Sequence, residues 1–150
     1  MNNSADSGLL LDAKAFEAIL DERLPFAQTM GLVVDTFAAE YVQLRAVYSD
    51  RFLRPGGTIS GPIMMGLADA AVYALVLSRI GPVELAVTTQ LSINFLRKPE
   101  PADVLAQASL LKLGKRLAVG QVVLFSESTG VHSPVAHATA TYSIPPPDRR

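Results

Sequence analysis

One carboxylate stands alone in an apolar run. Within SGPIMMGLADAAVYALVL, residues 60–77, the only charged side chain is Asp69. A carboxylate in such surroundings is poorly solvated, so its pKa rises unless a donor or a cation pairs with it. A group of this kind can serve as a general base or a nucleophile. The alternative is an aspartate at a helix surface that bonds a Ser or Thr of a second subunit. Roughly two and a half turns earlier, Ser60, Gly61 and Pro62 have the composition of a helix start. Ser60 suits the N-cap, its hydroxyl accepting from a first-turn amide. Pro62 suits an early helical position, where its missing N–H is not needed. Gly61 lets a ligand or another chain approach the backbone closely. Free amides and the helix dipole there favour negative charge, including a developing oxyanion.

The elements that must position these groups follow from periodicity and punctuation. Asp12 caps a helix over about 12–24, with Phe16, Ile19 and Leu20 on one face, which Pro25 ends or bends. LVVDTFAA and Tyr41–Tyr48 are two strands joined across Ala39–Glu40. Residues 49–59, with Pro55 and two glycines, are a loop. A long helix runs from Ser60 to about Ile80 and closes at Gly81. Four antiparallel strands follow. Ala86–Leu96 places Val87, Thr89, Leu91, Ile93 and Phe95 on one face. Val104–Leu113, Leu117–Glu127 and Pro134–Ile144 come next, with turns at 114–116 and 128–130. A helix apolar nearly all round must be wrapped on most sides. One curved antiparallel sheet, with strands from both sides in sequence, supplies that wrapping. The expected class is therefore α+β, one domain over 1–150, with residues 1–9 frayed.

Composition narrows the function. The chain is 49% hydrophobic and 18% charged, which fits a globular domain. Its formal net charge of -1 offers no field for nucleic acid. Without cysteine there is no disulfide framework and no thiolate chemistry. The longest uninterrupted apolar run of the helix, Ala70–Leu77, is far short of a membrane span of roughly 20 residues. No basic region followed by a long apolar region opens the chain, so a cytoplasmic location is expected. Neither His132 nor His137 makes a metal site by itself. Both lie near the last strand, too distant in sequence to serve Ser60 as a base. GGTISG lacks the strand and spacing of a phosphate-binding fingerprint.

The segment Arg54-PGGTI-Ser60-Gly61-Pro62-IMMG-Leu67-Ala68-Asp69 resembles the N-x-x-x-x-x-H-G-G-x-x-x-x-L-A-D pattern of phenylacetate-degradation-type acyl-CoA thioesterases of the hotdog fold. VTTQLSINFLRKP and ADVLAQASLLKLGKRLAVGQVVLFSESTG resemble that family's third strand and its following hairpin. The similarity spans about residues 30–143. It implies a curved sheet around a central helix, and a homodimer or dimer of dimers with active sites across the subunit interface. It also implies hydrolysis of an acyl-CoA or related thioester, with coenzyme A as part of the substrate and no other cofactor. The resemblance makes Asp69 the base or nucleophile and the Gly61 amide the group that polarises the carbonyl. Thr88, matching a third-strand Ser or Thr, positions water or the acid. Three positions depart from the pattern: Ser60 replaces His, Arg54 replaces Asn and Pro62 replaces the second Gly. Serine can still donate a hydrogen bond. Arg54 either holds a carboxylate or phosphate or pairs with Asp69. Lys115 and Arg116 at the hairpin turn, with Arg97 and Lys98, are candidates for the coenzyme A phosphates. Met64 and Met65 are core or acyl-tunnel residues, Met65 and Pro62 being counted with the substrate contacts. A non-catalytic binder of acyl-CoA or a small aromatic acid on the same fold is the alternative function.

Overall fold

The computed structural model describes residues 8–150. The fraying expected of residues 1–9 falls mainly on residues 1–7, outside the described residues. Helix α1 (Ala13–Arg23) starts where Asp12 accepts the Ala15 amide at 2.8 Å. It buries Phe16, Ile19 and Leu20, the three residues its spacing picked out. Pro25 does more than stop it. A second short helix, α2 (Pro25–Thr29), begins at that proline and makes an elbow with α1.

Strands β1 (Leu32–Phe37) and β2 (Val42–Ala46) form the expected hairpin. The 49–59 segment is more ordered than a loop: a single 3-10 turn at Asp50–Phe52 leads into a small hairpin of β3 (Leu53–Arg54) and β4 (Thr58–Ile59). Helix α3 (Gly61–Ile80) follows, with Ser60 at its N-cap and Gly81 at its C-cap. Gly81 has φ 87, a conformation that costs glycine nothing. Then come β5 (Val87–Phe95), β6 (Val104–Leu113), β7 (Leu117–Ser126) and β8 (Ala136–Ser143).

The six long strands make one antiparallel sheet in the order β1-β2-β6-β7-β8-β5. Its inner face is rich in small residues: Ala106 and Ala108 on β6, Ala118 and Gly120 on β7, and Ala136, Ala138 and Ala140 on β8, all buried. Short side chains let the sheet close tightly on α3. A Cβ on Gly120 would meet Val72 at 3.1 Å. By length and hydropathy α3 could cross a membrane, but here it is the core that the sheet wraps.

Strand β5 departs from the expected alternation. Its pairing with β8 skips Thr89, so the strand bulges there. The bulge moves Val87 and Thr89 out of phase with Leu91 and Ile93. Thr88 pairs directly with Tyr142, and both side chains turn toward α3.

Candidate active site

Asp69 lies half-buried in the middle of α3. Its Oδ1 accepts the Thr88 hydroxyl at 2.6 Å and the Tyr142 hydroxyl at 2.8 Å. The Tyr142 oxygen also lies 3.0 Å from the Asp69 main-chain carbonyl oxygen. Among the described residues no donor reaches Oδ2. Two short charge-assisted bonds on one oxygen fix the carboxylate plane and leave the other oxygen available. The donors that a carboxylate in apolar surroundings requires are thus two hydroxyls, and no cation is involved.

Tyr142 was not a sequence candidate. Its ring stacks on Tyr73 with centroids 6.0 Å apart, and Tyr73 in turn packs against Phe16 at 6.0 Å. Tyr73 is one turn along α3 from Asp69, and its hydroxyl donates to the Glu84 carbonyl at 3.0 Å. The phenol of Tyr142 is therefore held from both ends. Burial pushes its pKa above the usual range, and the Asp69 carboxylate pushes in the same direction. It stays a proton donor throughout the neutral range.

Asp69, Thr88 and Tyr142 line a cavity of about 490 Å³ between α3, the start of β5 and the α1–α2 elbow. Gly61 lines a different cavity of about 400 Å³, together with Arg54, Met64, Arg97 and Lys98. Within one chain the two features lie apart, separated by roughly 12 Å of helix rise. Arg54 does not pair with Asp69; it makes no ion pair among the described residues. Ser60 occupies the N-cap, but its hydroxyl makes no capping bond, contrary to expectation. The Gly61 amide likewise has no acceptor among the described residues.

The remaining candidates scatter. Arg97 donates to the Pro134 carbonyl at 2.9 Å and Arg116 to the Ile144 carbonyl at 3.1 Å, so both brace backbone. Lys115 and Arg116 line neither cavity. Met64 is core, whereas Met65 and Pro62 are exposed on this chain and line neither cavity. His137 sits 3.4 Å from the Gln121 amide oxygen. Among the described residues no three His, Asp or Glu side chains gather as a metal site requires.

A curved antiparallel sheet around one buried helix, with a hydrogen-bonded carboxylate on that helix, defines a protein of the hotdog fold. The chain belongs to the thioesterase superfamily, whose family model matches residues 56–132. It is similar to a candidate thioesterase from Silicibacter sp. TM1040, at 51% identity over 92% of this chain and 94% of that one, with a TM-score of 0.82. A variant of the phenylacetic acid degradation protein PaaI from Thermus thermophilus is 27% identical, over 81% of this chain and 99% of that one, with a TM-score of 0.69. A thioesterase from Haemophilus influenzae shares the fold at 16% identity, over 91% and 92% of the two chains, with a TM-score of 0.79. No curated protein sequence matches the chain. Membership of the superfamily supports thioester hydrolysis as the general chemistry.

Proposed function

We propose that the protein hydrolyses an acyl-CoA thioester, with Asp69 as base or nucleophile. The observation that carries this is the oriented carboxylate, which accepts two hydrogen bonds on Oδ1 and none on Oδ2 among the described residues, at the wall of a largely apolar cavity. As a base, Oδ2 takes a proton from water while the water oxygen bonds to the acyl carbon. The carbonyl electron pair moves onto oxygen and then returns, expelling the coenzyme A thiolate, which takes up the proton. As a nucleophile, Oδ2 itself bonds to the acyl carbon and the thiolate leaves; water then cleaves the resulting anhydride, releasing the acid, returning Asp69 to its carboxylate and giving a proton to the thiolate.

Either route needs donors for the oxyanion. The uncommitted Gly61 amide and Ser60 hydroxyl suit that role, but in one chain they are remote from Asp69. The catalytic unit we propose is accordingly a homodimer or a dimer of dimers, with Gly61 of one subunit facing Asp69 of the next. Strand β5 is a free sheet edge with Val87 58% and Phe95 50% exposed, and such an edge is a template for strand pairing. Arg54 and Lys98 beside Gly61 supply positive charge for the phosphates of coenzyme A, which enters as part of the substrate. The Lys115–Arg116 turn is a second candidate for that contact.

Thiol release from short, long and aromatic acyl-CoA esters tests this reading. Asp69→Asn is expected to lose on the order of a hundredfold or more in turnover. An Asp69→Asn protein as active as the parent would overturn the mechanism. Ser60, standing where the family pattern has histidine, favours a second reading: a non-catalytic acyl-CoA or aromatic-acid binder. Saturable binding without thiol release would establish it.

A further inference from the structure

The cavity beside Asp69 has a wall that the family match does not cover. The α1–α2 elbow closes its outer side through Ile19, Leu24, Pro25 and Phe26, all N-terminal to the matched residues 56–132. The elbow is braced by the Gln28 side chain on the Asp21 carbonyl at 3.1 Å. An Arg23–Glu84 ion pair of 3.0 Å ties it to the segment before β5. Its base is seated on α3 at Gly66, where a Cβ would come 2.7 Å from the Met30 sulfur. Phe26 lines the cavity and is 59% exposed, as are Leu85 (66%) and Val87 (58%), and of these exposed lining residues it has the largest apolar side chain. Its ring does little for the core and stands at the rim.

The chemistry of the lining is one-sided. Apart from the polar end at Asp69, Thr88 and Tyr142, and the charged Glu22, Arg23 and Glu84, the walls are aliphatic and aromatic. Among the described residues the charged ones that touch it are Glu22, Arg23, Asp69 and Glu84, and the one cation of these is already paired with Glu84. An acyl group carrying its own carboxylate would meet uncompensated negative charge there. A neutral aliphatic or aryl acyl group would meet apolar surface and leave its thioester carbon at the Asp69 end.

We propose that the α1–α2 elbow is the acyl-group selector of this protein, that it takes a neutral apolar acyl group, and that Phe26 sets the longest group admitted. This rests on the thioesterase reading above. Its test is the ratio of kcat/KM values for acetyl-, octanoyl-, phenylacetyl-, dodecanoyl- and succinyl-CoA in the parent and in Phe26→Ala and Phe26→Trp. The parent is expected to favour octanoyl- or phenylacetyl-CoA over succinyl-CoA by at least tenfold. Phe26→Ala should raise dodecanoyl relative to octanoyl by fivefold or more. Phe26→Trp should move the preference toward shorter groups. An unchanged ratio in both variants, or succinyl-CoA handled as well as octanoyl-CoA, would overturn the proposal. If no ester releases thiol, the thioesterase reading fails by itself. Calorimetric binding of the same esters then decides the selector, with equal affinities in parent and variants counting against it.

Discussion

The Tyr142 hydroxyl lies 2.8 Å from Oδ1 of Asp69, the same oxygen that the Thr88 hydroxyl reaches at 2.6 Å. Two donors converge on one oxygen because the residues that carry them are directly paired across β5 and β8. The pairing depends on the bulge at Thr89; without it, Thr88 would face away from the helix. The hydroxyls are arranged to hold the acid and leave its second oxygen to react.

Removing the Tyr142 hydroxyl should therefore cost turnover more than affinity. A hydrogen bond to a charged group contributes about 1.5–3 kcal/mol, which corresponds to roughly ten- to a hundredfold in rate. Tyr142→Phe is expected to lower kcat by that factor with KM little changed. Thr88→Val should do the same, and the double variant should lose less than the product of the two. A rise in KM with kcat preserved would assign Tyr142 to the pocket wall and not to the orientation of Asp69.

Much of this arrangement was legible in the sequence, and the gaps have physical causes. The apolar run around Asp69 gave α3, and alternation gave the six long strands, because one buried face imposes each period. Thr88 entered through the family resemblance, but straight alternation put it on the wrong face, since a bulge adds one residue without any composition signal at Thr88-Thr89. Tyr142 shares the inward phase of Ala136, Ala138 and Ala140. Its meeting with Asp69, however, is a long-range contact that depends on β8 lying beside β5. Ser60 has the right type and place for a cap, yet its hydroxyl is unspent. Arg54 is held at the other cavity because the 3-10 turn and the β3–β4 hairpin give order to a segment that composition marks as loop.

Acid should weaken the sheet at Asp35. Burial pushes the Asp35 carboxyl up, but the Gln43 amide at 2.7 Å and the Arg45 guanidinium at 3.1 Å more than offset this and hold it below its ordinary value. The folded state thus binds that proton less readily than the unfolded chain. The resulting stability is present above the unfolded value of about 3.9 and is lost as pH falls through the folded value. Urea midpoints at pH 7 and pH 3 should differ less for Asp35→Asn than for the parent. An equal difference in the two proteins would remove Asp35 from the acid response.

The close approach of β7 to α3 makes Gly120 intolerant of bulk. A Cβ there would lie 3.1 Å from Val72 Cγ1 and 3.4 Å from Leu75 Cδ2, both in the core. Gly120→Val is expected to destabilise by about 1–3 kcal/mol through overpacking. For a chain of this length that lowers Tm by about 2–4 °C per kcal/mol. Thermal unfolding followed by circular dichroism checks it, and an unchanged Tm would mean that the sheet yields more easily than its contacts indicate.

The separation of Gly61 and Asp69 into two cavities gives the sharpest test of the shared site. Take two inactive proteins, Asp69→Asn and Gly61→Val; in the second, the new side chain crowds the Phe95 ring, which a Cβ alone would approach to 3.3 Å. If each site joins Gly61 of one subunit to Asp69 of another, a mixed dimer carries both defects in one site and none in the other. Random re-association of equal amounts then restores about a quarter of parental activity. If both groups act within one chain, every chain in the mixture is defective and nothing is restored. Co-expression with two affinity tags, followed by thiol-release assays on the doubly tagged fraction, distinguishes these outcomes; mixed dimers alone should show about half of parental activity. Recovery also requires that the chains associate at all, so light scattering on the same fraction reports whether they do. A monomer with full parental activity would remove the partner from the mechanism and would require oxyanion donors from within the Asp69 cavity itself.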